Sequence, residues 1–225
     1  MLRKYLLSLI ESAAVENEIN IINFIPQLNN CTYLDLGCDD GKKSLLRAQK
    51  AHARKILGIE IIRSQAIKAR NKGIKVFETD LNFRLPISSC IIDLITCNQV
   101  IEHLYDIDVF LSEIYRTLKK QGVLILSTEN LSSWHNIFSL VFGFQPFSMT
   151  NISRKGNIGN PFSLWKNPDL LHKCLFSYFG IKDLLHKHGF MIECIKTSGY
   201  YPLPNFFAHF DKIHGHWLTI KARKK

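Results

Sequence analysis

The chain has 225 residues, 46% of them hydrophobic and 21% charged, with 15 Phe, 7 Tyr and 3 Trp. That composition suffices for a large buried core and excludes a disordered chain, and the length suits one domain with a modest elaboration. The 29 Lys and Arg against 19 Asp and Glu leave +10, a field that favours anionic partners without choosing among phosphates, lipid head groups and acidic substrates.

At the N-terminus Leu2, Tyr5, Leu6, Leu9, Ile10 and Ala13 follow helical spacing and predict a helix that packs on the body of the domain. The apolar run Tyr5 to Ile10 is interrupted by Glu11, too short for a secretion signal, and the stretch from Ile137 to Phe144 falls well short of the roughly 20 residues of a membrane span. A soluble, cytoplasmic protein without a transmembrane segment is expected. After Pro26, residues 31–36 read as a strand, followed by a Gly-bearing turn to Gly41 and a helix over 42–54. Residues 56–60 predict a second strand, 64–71 its helix closed by Gly73, and 74–79 a third strand.

Residues 90–97 form a nearly continuous apolar run, as a strand covered on both faces requires. A helix over 107–118, a turn at Gln121-Gly122 and a strand over 123–127 follow. Strands alternating with helices predict right-handed βαβ units and a parallel sheet. Beyond Thr128 the rhythm changes. A helix bearing Trp134, Ile137, Phe138, Val141 and Phe142 leads into a lid or loop over 143–168, then a helix over 176–188 and strands over 190–196 and 216–222. With no helix between them, these last strands are expected to form an antiparallel pair at one sheet edge. The organisation expected is an N-terminal helix (1–28), a ligand-binding core (30–130) and a substrate-side elaboration (131–225).

Cys31, Cys38, Cys90, Cys97, Cys174 and Cys194 show no C-x-x-C spacing and read as apolar filler in a reducing compartment. The chemistry concentrates at strand ends. In Tyr33-Leu-Asp-Leu-Gly-Cys-Asp-Asp-Gly41 a strand runs into a turn whose Gly37 and Gly41 let the backbone approach a ligand. Glu60, Asp80 and Asn98 end the next three strands, so four polar positions share the carboxyl rim where open α/β sheets bind ligands. Asp35, Asp39 and Asp40 make the first turn acidic, and both the G-x-G-x-x-G spacing and a P-loop lysine are missing, which disfavours a phosphate-bearing ligand. A ligand with a ribose diol, an adenine and a positive charge fits better: Glu60 to accept the hydroxyls, Asp80 the adenine amino group, Asp35 and the turn to face an ammonium or sulfonium. S-adenosylmethionine has these groups.

The same stretches resemble the class I S-adenosylmethionine-dependent methyltransferases, in particular their type 11 small-molecule group. The resemblance rests on Leu-Asp-Leu-Gly-Cys-Asp-Asp-Gly at 34–41, Gly-Ile-Glu at 58–60, Thr-Asp-Leu at 79–81, Ile-Asp-Leu-Ile-Thr-Cys-Asn-Gln-Val-Ile-Glu-His-Leu at 92–104, and the stretch Glu-Ile-Tyr-Arg-Thr-Leu-Lys-Lys-Gln-Gly-Val-Leu-Ile-Leu-Ser-Thr-Glu-Asn at 113–130. It implies a Rossmann-like, doubly wound, mostly parallel α/β sheet of seven strands with the last antiparallel. It also implies that Asp35, Gly37 and Gly41, with Cys38, line the methionine end, Glu60 with Ile61 the ribose, Asp80 with Leu81 the adenine, and that Asn98 adjoins them. The family more often has Gly where Asp39 stands; Asp tolerates a positive φ better than most other residues, so the turn is expected to keep its shape.

His103 and Glu102 follow the fourth strand. They are candidates for taking a proton from an acceptor hydroxyl or orienting it, and equally for merely shaping the loop. The stretch is similar to that of polyprenyl quinone O-methyltransferases, where an acidic residue, Glu and His hold a divalent ion; here Gln99 replaces the first, and no metal site is expected. Methyl transfer mainly requires holding the acceptor in line at about 3–3.5 Å. Neither an Asn-Pro-Pro-Tyr motif nor a Pro-Cys pair is present, which favours an oxygen acceptor in a small or lipid-like molecule. Trp134, Phe138, Val141, Phe142, Phe144 and Phe147 are positioned to roof an apolar pocket, rest on a membrane surface or simply cover the sheet edge. His172, His186, His188, His209, His214 and His216 read as surface histidines. A non-catalytic module that binds the same cofactor and, from the charge, an RNA methyltransferase are the alternatives.

Overall fold

The computed structural model describes residues 2–163 and 171–225. Seven strands form one sheet: β1 (Cys31–Leu36), β2 (Ala53–Ile59), β3 (Lys75–Phe77), β4 (Ile92–Asn98), β5 (Leu118–Glu129), β6 (Phe190–Ser198) and β7 (Trp217–Lys224). Their spatial order is β3-β2-β1-β4-β5-β7-β6. The first five pair in parallel; β7 runs antiparallel to both β5 and β6 and lies between them. This is the expected Rossmann-like sheet, with the closing antiparallel pair at one edge.

Helices cover the sheet: α1 (Leu2–Phe24), α2 (Lys42–Lys50), α3 (Arg63–Asn71), α4 (Ile107–Thr117), α5 (Trp134–Val141) and α6 (Tyr178–Lys187). On one side Leu34, Leu36, Ile95, Leu124 and Leu126 meet Phe110, Leu111 and Ile114 of α4 and Ile181 and Leu185 of α6. On the other, Tyr33, Leu94, Val123 and Ile125 meet Ile21 and Phe24 of α1. Alternate residues along each central strand thus point to opposite layers, which is why these strands read as continuous apolar runs.

Three boundaries differ from expectation. The first helix runs past Ala13, where the apolar spacing ends, but stops at Phe24, short of residue 28, with Ala13, Asn17, Asn20, Ile21 and Phe24 on its inward face. Asn17 explains why that face turns polar: its side chain donates to Asn98 Oδ1 (2.9 Å) and accepts from Ser127 Oγ (2.8 Å) and Thr219 Oγ1 (2.7 Å), joining α1 to β4, β5 and β7. The second helix stops at Lys50, since His52 adopts φ 51° and turns the chain early into β2. The Gln121-Gly122 turn persists as an irregularity in β5, with Gln121 at φ 64° and the register jumping from Ile92↔Leu118 to Leu94↔Val123. The expected lid over 143–168 is irregular chain as far as Ser163, with one short turn of helix at Phe147–Met149; its residues 164–168 lie outside the described set.

No helix among the described residues is long and apolar enough to cross a membrane. All six cysteines are free, and Cys31, Cys38 and Cys97 are buried.

Candidate active site

The carboxyl ends of β1, β2 and β4 open onto a cleft of about 400 Å³ lined by Gly37, Glu60, Ile61, Asp80, Leu81, Asn98 and His103, among others. Its floor depends on the β1 turn. Gly37 has φ 74°, and a Cβ there would lie 2.6 Å from Val100 Cγ2, so only glycine lets the chain pass Val100. Asp39 adopts φ 47°, the left-handed conformation that the family's usual glycine takes easily. Glu60 braces this turn: Oε2 accepts the Asp39 N–H (2.9 Å) and Oε1 the Ile62 N–H (2.8 Å). Each carboxylate oxygen has more than one acceptor site, so both keep capacity toward a diol. Asp80 Oδ1 similarly accepts from the backbone and side-chain nitrogens of Asn82, both at 2.8 Å.

Three of the anticipated ligand residues lie elsewhere. Asp35 is buried beneath the turn, with Ser44 Oγ at 2.5 Å, Thr96 Oγ1 at 2.6 Å and Arg47 Nη1 at 3.3 Å from its carboxylate. Its charge therefore belongs to a buried ion pair and does not face the cleft. Arg47 carries a second partner, Glu18 of α1, at 2.7 Å. Burial works against the Arg47 cation, and the charge of Asp35 with the hydrogen bond of Glu18 outweighs it, holding the guanidinium firmly protonated. Gly41, at φ 80°, starts α2 where a Cβ would collide with Ile74 and Ala69, so it serves helix packing. Cys38 is buried against Gly58, and burial pushes its thiol up to about 12.

Beyond β4 a short turn of helix, Ile101–His103, carries the two candidate catalytic residues. His103 is half-buried and lines the cleft; Nδ1 lies 3.0 Å from the Leu171 carbonyl, and burial lowers its pKa, leaving a neutral ring near pH 7. Glu102 is wholly buried and does not line the cleft. Its Oε2 accepts from Thr128 Oγ1 at 3.1 Å, while Oε1 has no hydrogen-bond partner among the described residues. Burial, with the charge of Glu129 adding to it, raises its carboxyl to about 8. The backbone carbonyl of Glu102 accepts the Lys173 N–H at 2.7 Å, and this bond draws the 171–174 segment across the site.

That segment brings in His172, a residue the sequence places on the surface. It is buried at 4% exposure, its ring centroid is 4.9 Å from that of His103, and its Nδ1 lies 2.5 Å from the Ser148 carbonyl. The spacing of histidines along the chain carries no sign of this, because the contact depends on how an irregular segment returns to the sheet. His188, His214 and His216 are half-buried, against expectation, while His186 is exposed as expected; the side chain of His209 lies outside the described set. His135, unnoticed in the sequence, is fully buried and kept neutral by burial and by the adjacent His216.

His172 also lines a second, mostly apolar pocket of about 230 Å³ with Leu7, Ile10, Phe147, Tyr201 and Trp217. Glu129 is the acid of that pocket. It accepts from Trp217 Nε1 (2.8 Å) and Ser148 Oγ (2.7 Å), and His216 Nε2 lies 3.4 Å away. Burial opposes its ionisation, but the charge and hydrogen bond of His216, with His172 and Ser148, hold the carboxyl down at about 2. Beside this pocket Phe138, Phe142, Phe144 and Phe147 line a shallower apolar hollow of about 390 Å³. Trp134 instead anchors the loop, donating to Tyr200 Oη and Asp211 Oδ2.

A family model for a methyltransferase domain matches residues 6–195. The chain belongs to the S-adenosylmethionine-dependent methyltransferases. It is 32% identical over 99 residues to a probable S-adenosylmethionine-dependent methyltransferase of Mycolicibacterium smegmatis, covering 43% of this chain and 37% of that protein. It is 27% identical over 120 residues to a malonyl-[acyl-carrier protein] O-methyltransferase of a Methylovorus species, covering 49% of this chain and 39% of that one. The chain thus spans about two fifths of the length of these curated relatives. In fold it is similar to geranyl diphosphate C-methyltransferase from Streptomyces coelicolor, solved with Mg2+, geranyl diphosphate and S-adenosyl-L-homocysteine, at a TM-score of 0.63 and 12% identity over 94% of this chain and 80% of that one. S-adenosylmethionine is the family's cofactor, and the cleft fits it: Gly37 leaves the cradle that a Cβ would fill, and Glu60 presents both carboxylate oxygens on its wall.

Proposed function

We propose that the chain transfers a methyl group from S-adenosylmethionine to an oxygen of a small-molecule or lipid-like acceptor. The observation that carries this reading is the adjacency of two cavities: His103 lines the acidic cleft, His172 lines the apolar pocket, and the two rings are in contact. When bound, the cofactor supplies a methyl carbon on a positively charged sulfur with a good neutral leaving group. The chain's own residues do the positioning. Glu60 holds the ribose diol, Asp80 and Leu81 hold the adenine, and the turn at Gly37 admits the methionine end. The apolar walls contributed by Phe147, Tyr201 and Trp217 select an acceptor with a hydrophobic body and shield it from water.

His103, with its ring neutral, orients an acceptor hydroxyl at the partition or takes its proton as the new oxygen–carbon bond forms. Glu102, buried behind it, acts as a positioning residue and not by contact with the cleft. An oxygen acceptor is favoured by the absence of an amine-holding motif after β4 and by the likeness to a relative named as an O-methyltransferase. Exposed Phe138 and Phe142 beside the hollow support a lipid-like acceptor reached at a membrane surface.

The test is transfer of labelled methyl from S-adenosylmethionine to cell-extract fractions, beside calorimetry with S-adenosylhomocysteine. Label is expected in the small-molecule or lipid fraction, as a base-stable ether or a base-labile ester. Label confined to RNA, or no cofactor binding at millimolar concentration, overturns the reading.

A further inference from the structure

The unpaired oxygen of Glu102 has an arrangement around it that the proposed methyl transfer does not itself require. One carboxylate oxygen and one ring nitrogen each from His103 and His172 lie within 4.8 Å of one another. Both imidazoles have Nδ1 against a backbone carbonyl, Leu171 for His103 and Ser148 for His172. A carbonyl only accepts, so each Nδ1 carries the hydrogen and each Nε2 is the ligand atom. Metal-binding histidines are oriented in this way, with the second ring nitrogen fixed by a carbonyl or carboxylate. Glu102 Oε1 is fully buried and lacks a hydrogen-bond partner among the described residues, an expensive state for a carboxyl oxygen unless something outside the protein meets it.

We propose that Glu102, His103 and His172 bind a divalent transition-metal ion of the zinc class at the partition between the cofactor cleft and the acceptor pocket. Two imidazoles and one carboxylate suit zinc or iron(II) and disfavour magnesium, which takes oxygen ligands. Small side-chain rotations bring the three donors to the about 2.0–2.2 Å of zinc coordination. Three protein ligands leave at least one open position, and because His103 and His172 each line a different cavity, that position lies where the cavities meet. The donor set differs from the acidic residue-Glu-His set of the polyprenyl quinone O-methyltransferases, and the absence of that set is why the sequence predicts no metal site. Gln99 stands in the first place and is turned toward Ser127 Oγ (3.1 Å), and the third donor comes from the segment that follows the lid.

Metal binding stands on these residues alone; its consequence rests on the proposed methyl transfer. An acceptor hydroxyl placed on the open position gives up its proton to water more readily. Its oxygen lone pair then forms the bond to the methyl carbon as the carbon–sulfur bond breaks and that electron pair stays on sulfur. In this arrangement His103 serves as a ligand, and proton removal no longer depends on its ring.

The experiment uses full-length protein stripped with a chelator and titrated with cobalt(II), followed by visible absorption, with zinc content measured by mass spectrometry after zinc reconstitution. One equivalent per chain is expected, with the absorption bands of a low-coordinate nitrogen–oxygen site. His172→Ala and Glu102→Gln should each weaken binding by about 100-fold, while exposed His186→Ala leaves it unchanged. Lack of stoichiometric binding at micromolar metal in the wild-type protein overturns the proposal, as does undiminished binding in both cluster variants. Should those variants fail to fold, cobalt-induced shifts of histidine ring protons in the wild-type protein decide it: shifts at His103 and His172 support the site, and shifts confined to other histidines sink it. Calorimetry with S-adenosylhomocysteine on the same samples keeps the two readings apart, since metal without cofactor binding refutes only the methyl transfer, and cofactor without metal binding refutes only the metal.

Discussion

The two halves of the molecule hold their functional groups by different means. From β1 to β5, parallel strands set the positions, and Glu60, Asp80 and Asn98 share a rim because each ends a strand or follows it closely. In the largely irregular segments on either side of α6 and β6, side chains replace the sheet as scaffold. Asn130 Nδ2 donates to the carbonyls of Ile213 and Gly215 at 2.7 Å each, Asn136 spans Asn130 and Ser148, Asn160 reaches Gln145, and Asp211 gathers Tyr200, Trp134 and His214. The first arrangement is robust because many backbone bonds share it. The second rests on single side-chain amides and is correspondingly easier to disturb.

The sharpest way to break that contrast is to find that the sheet half also depends on a single side chain, and Asp35 is where this is expected. Asp35→Ala removes one carboxylate of a buried pair and leaves Arg47, Ser44 and Thr96 short of an acceptor, for an expected loss of about 3 kcal/mol in chemical denaturation. Next in size, Glu60→Ala should weaken S-adenosylhomocysteine binding by about 100-fold in calorimetry, as expected for losing two hydrogen bonds to a charged group, while the melting temperature moves little. A large fall in melting temperature with unchanged affinity would make Glu60 a brace of the turn and nothing more.

On the other side, Asn130→Ala strands two carbonyls and should cost about 2 kcal/mol. Faster amide exchange is expected in residues 211–216 and not in β1 or β4. The smallest effect is expected at Asp211, whose carboxyl is held well below its ordinary value; burial opposes this and is outweighed by hydrogen bonds from Tyr200, Ile213, Trp134 and His214. A depressed carboxyl pKa gives stability that is present above the unfolded value near pH 4 and is lost as pH falls below it. Asp211→Asn should therefore lower stability by about 1 kcal/mol at pH 7, with the gap to wild type narrowing only as pH falls below about 4 and closing as it passes through the depressed folded-state value. A gap that persists in acid would mean that geometry and not charge anchors the loop.

The same contrast explains what could be read from the sequence. Period-2 apolar runs and glycines at turns report on strands directly, so β1 was legible to the residue, as were Gly37, Glu60 and Asp80 as neighbours of one cleft. Asp35 misled because its partner, Arg47, sits in a short helix where a basic residue ordinarily faces water. His172 gave no signal, since nothing in local spacing tells where an irregular segment will come to rest, and Glu129 at the end of β5 and His135 in α5 gave none because their partners come from distant parts of the chain. Asn17 was hidden for the opposite reason: a polar residue on a helix looks like solvent-facing surface until the strand ends it ties together are known.

The position of β7 has a consequence for how the sheet is closed. β6 precedes β7 in the chain, yet among the described residues the strand it pairs with is β7, which in turn pairs with β5. Without β7 in place the edge of β5 is open and β6 has no strand neighbour among the described residues. Insertion of β7 therefore covers two edges at once, and any state that lacks it presents the open β5 edge to other strands.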